Sequence, residues 1–258
     1  MKILLTGHKG FIGSYMLKAL AEHDVTTYEW SDGIRPSVID FNWVIHMGGI
    51  SSTTERDIDK ILRQNTEFSI DLYEECKTFG VNMQYSSSAS VYGLGTDFTE
   101  TAPVDPRNPY AWSKYLFERY VEKHPTGSIV QGFRYFNVYA LNGIGEEHKD
   151  KQASPFSQFY QQSKTGEISV FENSAEHKRD FVPVEDVIDI HLKFLNVKES
   201  GIFNVGSGKP MSFLDIANTF NVKVVEIPIP EILKNSYQKY TCADMTKTRK
   251  TLANIENR

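Results

Sequence analysis

A phenol and an amine four residues apart, with a hydroxyl close by, can pass a proton to or from an alcohol. Tyr110 and Lys114 have this spacing in NPYAWSK, and Ser86, Ser87 and Ser88 precede them in YSSSASVYG. The Y-x-x-x-K pattern decides nothing by itself, because Tyr73/Lys77 and Tyr160/Lys164 repeat it. Position singles out Tyr110. It follows Asn108-Pro109, a helix-start signal that puts it in a first turn with Lys114 on the same face. Tyr73 falls well inside its predicted helix, and Tyr160 near the end of another. A free phenol has a pKa near ~10 and is a poor base at neutral pH. Lys114 and a positively charged hydride acceptor are expected to lower it by about 3 units, roughly 4 kcal/mol. Ser88 is then expected to hold an alcohol while Tyr110 takes its proton and hydride leaves the carbon.

The hydride acceptor has its own signal. Gly7, Gly10 and Gly13 stand in TGHKGFIG, directly after the apolar run KILLT and directly before an amphipathic segment that opens with Phe11 and Ile12. Small residues at that spacing let the chain turn sharply, approach a pyrophosphate and pack helix against strand, with the pyrophosphate on the helix amino terminus. Tyr110 and Lys114 would adjoin the other end of the dinucleotide. Glu29 ends the second strand, VTTYE, where a carboxylate accepts both adenosine ribose hydroxyls and repels a 2′-phosphate. The cofactor is therefore NAD or NADP, with NAD favoured by Glu29. Arg35, close by, is the residue that could instead accommodate the phosphate.

These residues need a scaffold that brings strand ends and helix starts together. Strands are predicted at 2–6, 25–30, 43–48, 82–87, 129–135, 168–171 and 202–205, and helices at 11–22, 65–79, 109–123, 155–164, 185–196 and 212–220. The alternation predicts an α/β fold, a Rossmann-type doubly wound parallel sheet with a small C-terminal substrate lobe. Only Ser31 to Asn42 separate Trp30 from Trp43, too few for a helical crossover and another strand. The third strand, at the sheet edge, is expected to be missing and replaced by an extended linker, leaving the adenine pocket short of one wall. Residues 1–140 with about 180–206 are expected to bind the dinucleotide, and about 141–179 with 207–258 to form the substrate lobe.

Of 258 residues, 40% are hydrophobic and 24% charged, enough for one full core. A net charge of −5 argues against nucleic acid or an anionic membrane as partner, and no apolar run reaches the length of a membrane span. Positive charge gathers locally at His148, Lys149 and Lys151 and at His177, Lys178 and Arg179, which suits an anionic small molecule. The first ten residues turn polar too soon for a signal peptide, and two cysteines, Cys76 and Cys242, lack metal-ligand spacing; the cytoplasm is the expected compartment, with no metal.

Taken together the motifs resemble the extended short-chain dehydrogenase/reductase family, the NAD-dependent epimerases and dehydratases of nucleotide sugars, and within it the ADP-L-glycero-D-manno-heptose 6-epimerases in shortened form. The likeness is carried by GGISSTTE at 48–55, SSSASVYG at 86–93, GFRYFNVY at 132–139, EHKDKQAS at 147–154, KRDFVPVEDV at 178–187, SGIFNVGSG at 200–208 and LKNSYQKYTCADMT at 233–246. It implies that Ser88, Tyr110 and Lys114 are the catalytic trio and that Lys149 is a second acid/base group, since each epimer's hydroxyl needs its own proton partner. It also implies substrate contacts from Ser52, Asn137, Arg179 and Tyr237. From the residues alone, Ser52 to Glu55 reads as a helix capping box, Asn137 as a strand end, Arg179 as an ion-pair partner of Asp180 or Asp186, and Tyr237 as core.

The chain departs from the family at Ala140-Leu141, where Gly-Pro is usual, and at Ser236, where an arginine is usual; it also stops soon after ADMT, so no final helix is expected. The expected function is epimerisation of a nucleotide sugar by transient oxidation and re-reduction. The alternatives are a 4-epimerase, reductase or dehydratase of another nucleotide sugar, or a cofactor-binding regulator without catalysis. Dehydratases usually carry Asp-Glu where this chain has Ala89-Ser90. The resemblance implies a homo-oligomer.

Overall fold

The computed structural model describes all residues except 142, 147–148, 150–152, 231–237 and 257–258. Six parallel strands form the central sheet in the order β2-β1-β3-β4-β5-β9: β1 Lys2–Thr6, β2 Asp24–Tyr28, β3 Trp43–His46, β4 Asn82–Ser88, β5 Val130–Tyr135 and β9 Gly201–Val205. Strands β3 and β5 are buried along their whole length, as parallel strands covered on both faces must be. On one face α1 (Phe11–Ala19), with its C-cap Leu20, and α6 (Val184–Phe194) lay Phe11, Met16, Leu20, Val184 and Ile188 against Ile3, Leu5 and Ile45. On the other, α3 (Phe68–Phe79) and α4 (Pro109–Lys123) lay Leu72, Tyr73, Cys76 and Phe117 against Leu4, Val44, Met83 and Tyr85. Each such side chain contributes about 1.5–3 kcal/mol when fully buried.

Strand β2 is the sheet edge; among the described residues no further strand pairs with it. The segment after it makes a 3₁₀ turn at Trp30–Asp32 and is then pinned to α3 by Glu75. That carboxylate pairs with Arg35 and accepts from Ser37 Oγ at 2.6 Å and from the Val38 amide at 2.9 Å. The missing third strand is thus a clamped linker. Because β1 lies between β2 and β3, the chain direction diverges at the carboxyl ends of β1 and β3, where open α/β sheets bind ligands.

A second layer joins the predicted strand near 168–171 and helices near 155–164 and 212–220 to four short strands that the sequence pattern does not mark. Strand β6 (Asn137–Tyr139) runs parallel to β8 (Lys178–Pro183), which pairs antiparallel with β10 (Pro210–Ser212). Strand β7 (Glu167–Phe171) pairs in parallel with β11 (Lys223–Ile227), and α5 (Pro155–Ser163) and α7 (Phe213–Asn218) cover them around Phe156, Phe159, Ile168, Val170 and Ile216. Strand β8 gives no periodic signal because its Arg179 and Asp180 are buried polar residues.

Three sequence expectations are corrected. Ser52 to Glu55 caps no helix; α2 (Ile58–Ile61) starts later, with Asp57 accepting from the Lys60 amide at 2.9 Å, while Glu55 binds the Arg56 and Asp57 amides and Lys60. The helix expected from residue 65 begins at 58 and passes through a wide π-type turn, Leu62–Glu67, before α3. A helix does follow Asp244-Met245: α8, Thr246–Glu256, starts where Asp244 Oδ1 accepts from the Thr246 amide at 2.8 Å, and it packs Leu252 and Ile255 onto the core beside β9. Among the described residues, no helix is long and apolar enough to cross a membrane.

Candidate active site

The glycine turn is built by close approach. Gly7 has φ +76°, and a Cβ there would lie 2.4 Å from the Gly48 amide nitrogen; a Cβ on Gly13 would lie 2.0 Å from the Gly7 carbonyl oxygen. Gly10 is the N-cap of α1. Phe11 is buried under the turn, and Ile12 reaches the neighbouring cleft. The loop after β3 is held against β1 by a chain of hydrogen bonds in which His46 Nδ1 meets Thr6 Oγ1 at 2.6 Å, His46 Nε2 meets Ser69 Oγ at 2.8 Å, and the Gly48 amide donates to Thr6 Oγ1 at 3.2 Å. This cradle of bare backbone fits a pyrophosphate on a helix amino terminus. Glu29 lines a small recess with Thr6, Gly7, Trp30, Gln64 and Phe68. Its Oε1 accepts from the Lys9 amide at 2.7 Å, and with Asp32 it caps the 3₁₀ turn. Arg35 is turned away onto Glu75 and the Pro36 carbonyl.

At the far end of the turn a cleft of about 330 Å³ opens between the central sheet and the second layer, and Ser88, Tyr110, Asn137, Lys149 and Arg179 all line it. Ser88 ends β4, and its Oγ accepts from the Ser90 amide at 3.1 Å. Tyr110 stands in the first turn of α4, whose N-cap Asn108 accepts from the Ala111 amide at 2.8 Å. Burial raises the Tyr110 phenol, partly offset by its hydrogen bond to Ser88. Lys114 is buried, donates to the Ser86 carbonyl at 3.0 Å, and has its own pKa pulled down to about 8 by desolvation. The remaining Y-x-x-x-K pairs do other work. Tyr73 is a core residue that donates to the His124 carbonyl, and Lys164 lies over the Tyr160 ring at 4.4 Å.

Lys149 lines the same cleft, 4.3 Å from the Phe11 ring centroid and 3.8 Å from Glu146 Oε2, with its pKa lowered by burial. Glu146 is fully buried and ties the loop down by accepting from the Ser154 amide and hydroxyl, both at 2.7 Å. Arg179 is buried, donates to the Lys178 carbonyl at 3.0 Å and to the Gln238 carbonyl, and faces the Phe213 ring. Asp180 receives the Ser207, Gly208 and Ala243 amides at 2.7, 2.9 and 2.8 Å. Asn137 opens β6 and is exposed to the cleft. Ser52 does not line the cleft; its neighbours Ser51 and Thr53 do, and Ser52 Oγ meets Thr54 Oγ1 at 3.2 Å. Tyr237, with His148 and Lys151, lies outside the described residues.

Residues behind the site escaped sequence reading. Glu118, one turn after Lys114, takes Arg134 in a buried two-point pair at 3.0 and 2.7 Å and also receives Ser87 Oγ. Asn65, in the π-type turn, donates to Ser113 Oγ and the Ile50 carbonyl, bracing α4 against the loop after β3. The Lys114–Glu118 spacing was a visible hint; Arg134, on another element, gave none.

Residues 3–206 match the model of the NAD dependent epimerase/dehydratase family, which is most of the chain. The chain belongs to that family. Its family is one of NAD-dependent epimerases and dehydratases. Among solved structures it is similar to ADP-L-glycero-D-manno-heptose-6-epimerase from Helicobacter pylori, at 25% identity and TM-score 0.83 over 98% of this chain and 90% of that one. It is similar also to a UDP-N-acetylglucosamine 4-epimerase from Methanobrevibacter ruminantium, at 21% identity and TM-score 0.83 over 98% and 91% of the chains. UDP-glucose 4-epimerase from Thermotoga maritima matches at 24% identity and TM-score 0.81 over 98% and 93%.

Proposed function

We propose that this enzyme epimerises a nucleotide sugar by oxidising one carbinol carbon and reducing it from the opposite face, with an ADP-heptose at C6 as the preferred substrate. The observation that supports the reading is that Ser88, Tyr110 and Lys149 line a single cleft. When bound, the oxidised nicotinamide supplies the hydride acceptor and a positive charge beside the phenol. Ser88 holds the substrate hydroxyl, and Tyr110, as phenolate, removes its proton as the C–H bond breaks, leaving a carbonyl. Lys114 balances the phenolate charge. As hydride returns to the other face, Lys149 as ammonium protonates the new alkoxide, and Glu146 keeps it in position. Asn137 and Arg179 bind the sugar and diphosphate. Glu29 favours NAD.

A second cavity of about 270 Å³ continues from the cleft past Pro155, between Phe159 and Phe213, with Gln158 and Gln162 on its wall. Its apolar faces and amides suit a nucleobase. Helix α4 exposes Trp112 and Leu116, 48% and 40% accessible, which fits a contact with a second copy of the chain. Both cysteines are free thiols, which fits the cytoplasm.

A UDP-sugar 4-epimerase is the second reading, favoured by the equal TM-score of the UDP-N-acetylglucosamine 4-epimerase. The purified enzyme is offered ADP-heptose and UDP-hexoses with NAD or NADP, and the products are resolved by NMR. Inversion of ADP-heptose at C6 is expected; inversion of a UDP-hexose at C4 with ADP-heptose untouched establishes the second reading instead. Tyr110→Phe should lower kcat about 10²–10⁴-fold and leave bound cofactor unchanged. Unchanged turnover refutes the role given to Tyr110.

A further inference from the structure

Among the described residues, two phenols line the cleft, Tyr110 and Tyr135, and a buried hydrogen-bond chain behind the second one fixes what it can do. The chain starts at backbone carbonyls, which can only accept. Gln131 Nε2 donates to the carbonyls of Phe194 and Val197 at 3.2 and 3.0 Å, so its Oε1 faces Gln84 and accepts from Gln84 Nε2 at 3.0 Å. The second Gln84 Nε2 hydrogen goes to the His191 carbonyl at 3.1 Å. Gln84 Oε1 is then an acceptor, and its partner at 2.8 Å, His191 Nδ1, must carry the hydrogen. The buried, neutral imidazole keeps its lone pair on Nε2, and the Tyr135 hydroxyl at 2.6 Å donates to it. With that hydrogen spent, the Tyr135 oxygen accepts from Ser86 Oγ at 3.2 Å. The carbonyl of the same Ser86 holds Lys114 Nζ at 3.0 Å.

We infer that His191 and Tyr135 are positioning residues of the reaction: His191 holds Tyr135 as a committed donor, which anchors Ser86 under Lys114 and leaves Tyr110 as the phenol that exchanges its proton with substrate. This rests on the redox role proposed for Tyr110. Burial of His191 keeps the imidazole neutral, its pKa drawn down to about 3, as the donor order requires. Phe133, 4.2 Å from the imidazole ring centre, holds the ring in place.

Nitrogen NMR on the enzyme without substrate, at pH 7, reads the His191 tautomer directly. The Nδ1–H form is expected; an Nε2–H form or an imidazolium overturns the inference. This readout stands even if no nucleotide sugar is turned over, an outcome that would overturn the proposed function alone. On a substrate the wild type converts, Tyr135→Phe and His191→Phe should each lower kcat at least about tenfold, as small misplacements at a reacting centre do, with KM within about twofold. His191→Gln, whose amide offers the same donor and acceptor pair, should restore kcat to within about threefold of wild type. Should His191→Phe fail to fold, Tyr135→Phe carries the kinetic test. Full kcat in folded Tyr135→Phe, or a His191→Gln variant as impaired as Tyr135→Phe, overturns the positioning role.

Discussion

Lys114 reaches the Ser86 carbonyl from a buried position, and desolvation draws its pKa from 10.5 to about 8. An unfolded lysine titrates near ~10.4. Between pH 8 and 10.5 the unfolded chain therefore binds the extra proton, so stability rises with pH across that window; below pH 8 the full cost of burying the ammonium is present. Removing the charge should relieve it. Lys114→Met is expected to stabilise the enzyme at pH 7 by roughly 2 kcal/mol, a Tm rise of about 4–8 °C, after the lost hydrogen bond is allowed for. The difference should shrink toward pH 10.5. Thermal denaturation at pH 7 and pH 10 tests this, and a gap that stays constant contradicts it. The Tyr–Lys pair was readable because both residues lie on one helical face. The sign of the resting phenol's shift was not, because it depends on how deeply α4 is buried.

At the scale of elements, the linker between β2 and β3 replaces an entire strand and its crossover. Its length was enough to predict the loss, since a connection of twelve residues cannot hold both elements. Its clamp was not legible, because Glu75 lies on α3, far along the chain, and no local pattern marks it. Glu75→Gln leaves Arg35 without its counter-charge and weakens the hold on Ser37 and Val38. A loss of about 1–2 kcal/mol in stability is expected, together with weaker NAD binding and near-normal kcat at saturating cofactor. Calorimetric titration with NAD and urea unfolding read the two effects. Unaltered NAD affinity would show that the linker has no part in forming the adenosine end. Strand β8 and helix α8 were missed for related reasons. The first is a polar strand whose Arg179 and Asp180 find their partners only in the folded chain, and the second has a low apolar content and gains its place by packing on the core beside β9.

Across the whole molecule, His46 and His191 are fully buried on opposite faces of the central sheet. His46 and His191 each have their pKa drawn from 6.5 to about 3, chiefly by desolvation. Above pH 6.5 neither state is protonated and these groups add no pH dependence. Below it the unfolded chain takes up both protons while the native state does not, so stability falls as pH drops from 6.5 toward 3. The limiting slope for two protons is about 2.7 kcal/mol per pH unit. Urea unfolding at pH 7, 5.5 and 4.5 should show stability dropping steeply before carboxylate titration begins. A flat profile over that range would mean that the imidazoles are charged or solvated.

The sequence by itself determined what is encoded locally: the glycine turn, the alternation of strands and helices, the Pro-started helix that pairs Tyr110 with Lys114, and the absence of a third strand. These follow from backbone sterics, helical periodicity and chain length, none of which needs a distant residue. Tertiary structure alone decided what faces what. It set Lys149 and Tyr110 in one cleft, moved the cleft contact from Ser52 to its neighbours, buried the Arg134–Glu118 pair behind Lys114, and oriented the hydroxyls from His191 to Ser86. Hydrogen-bond polarity and desolvation depend on partners from four or five separate segments, so they exist only once the sheet has brought those segments together.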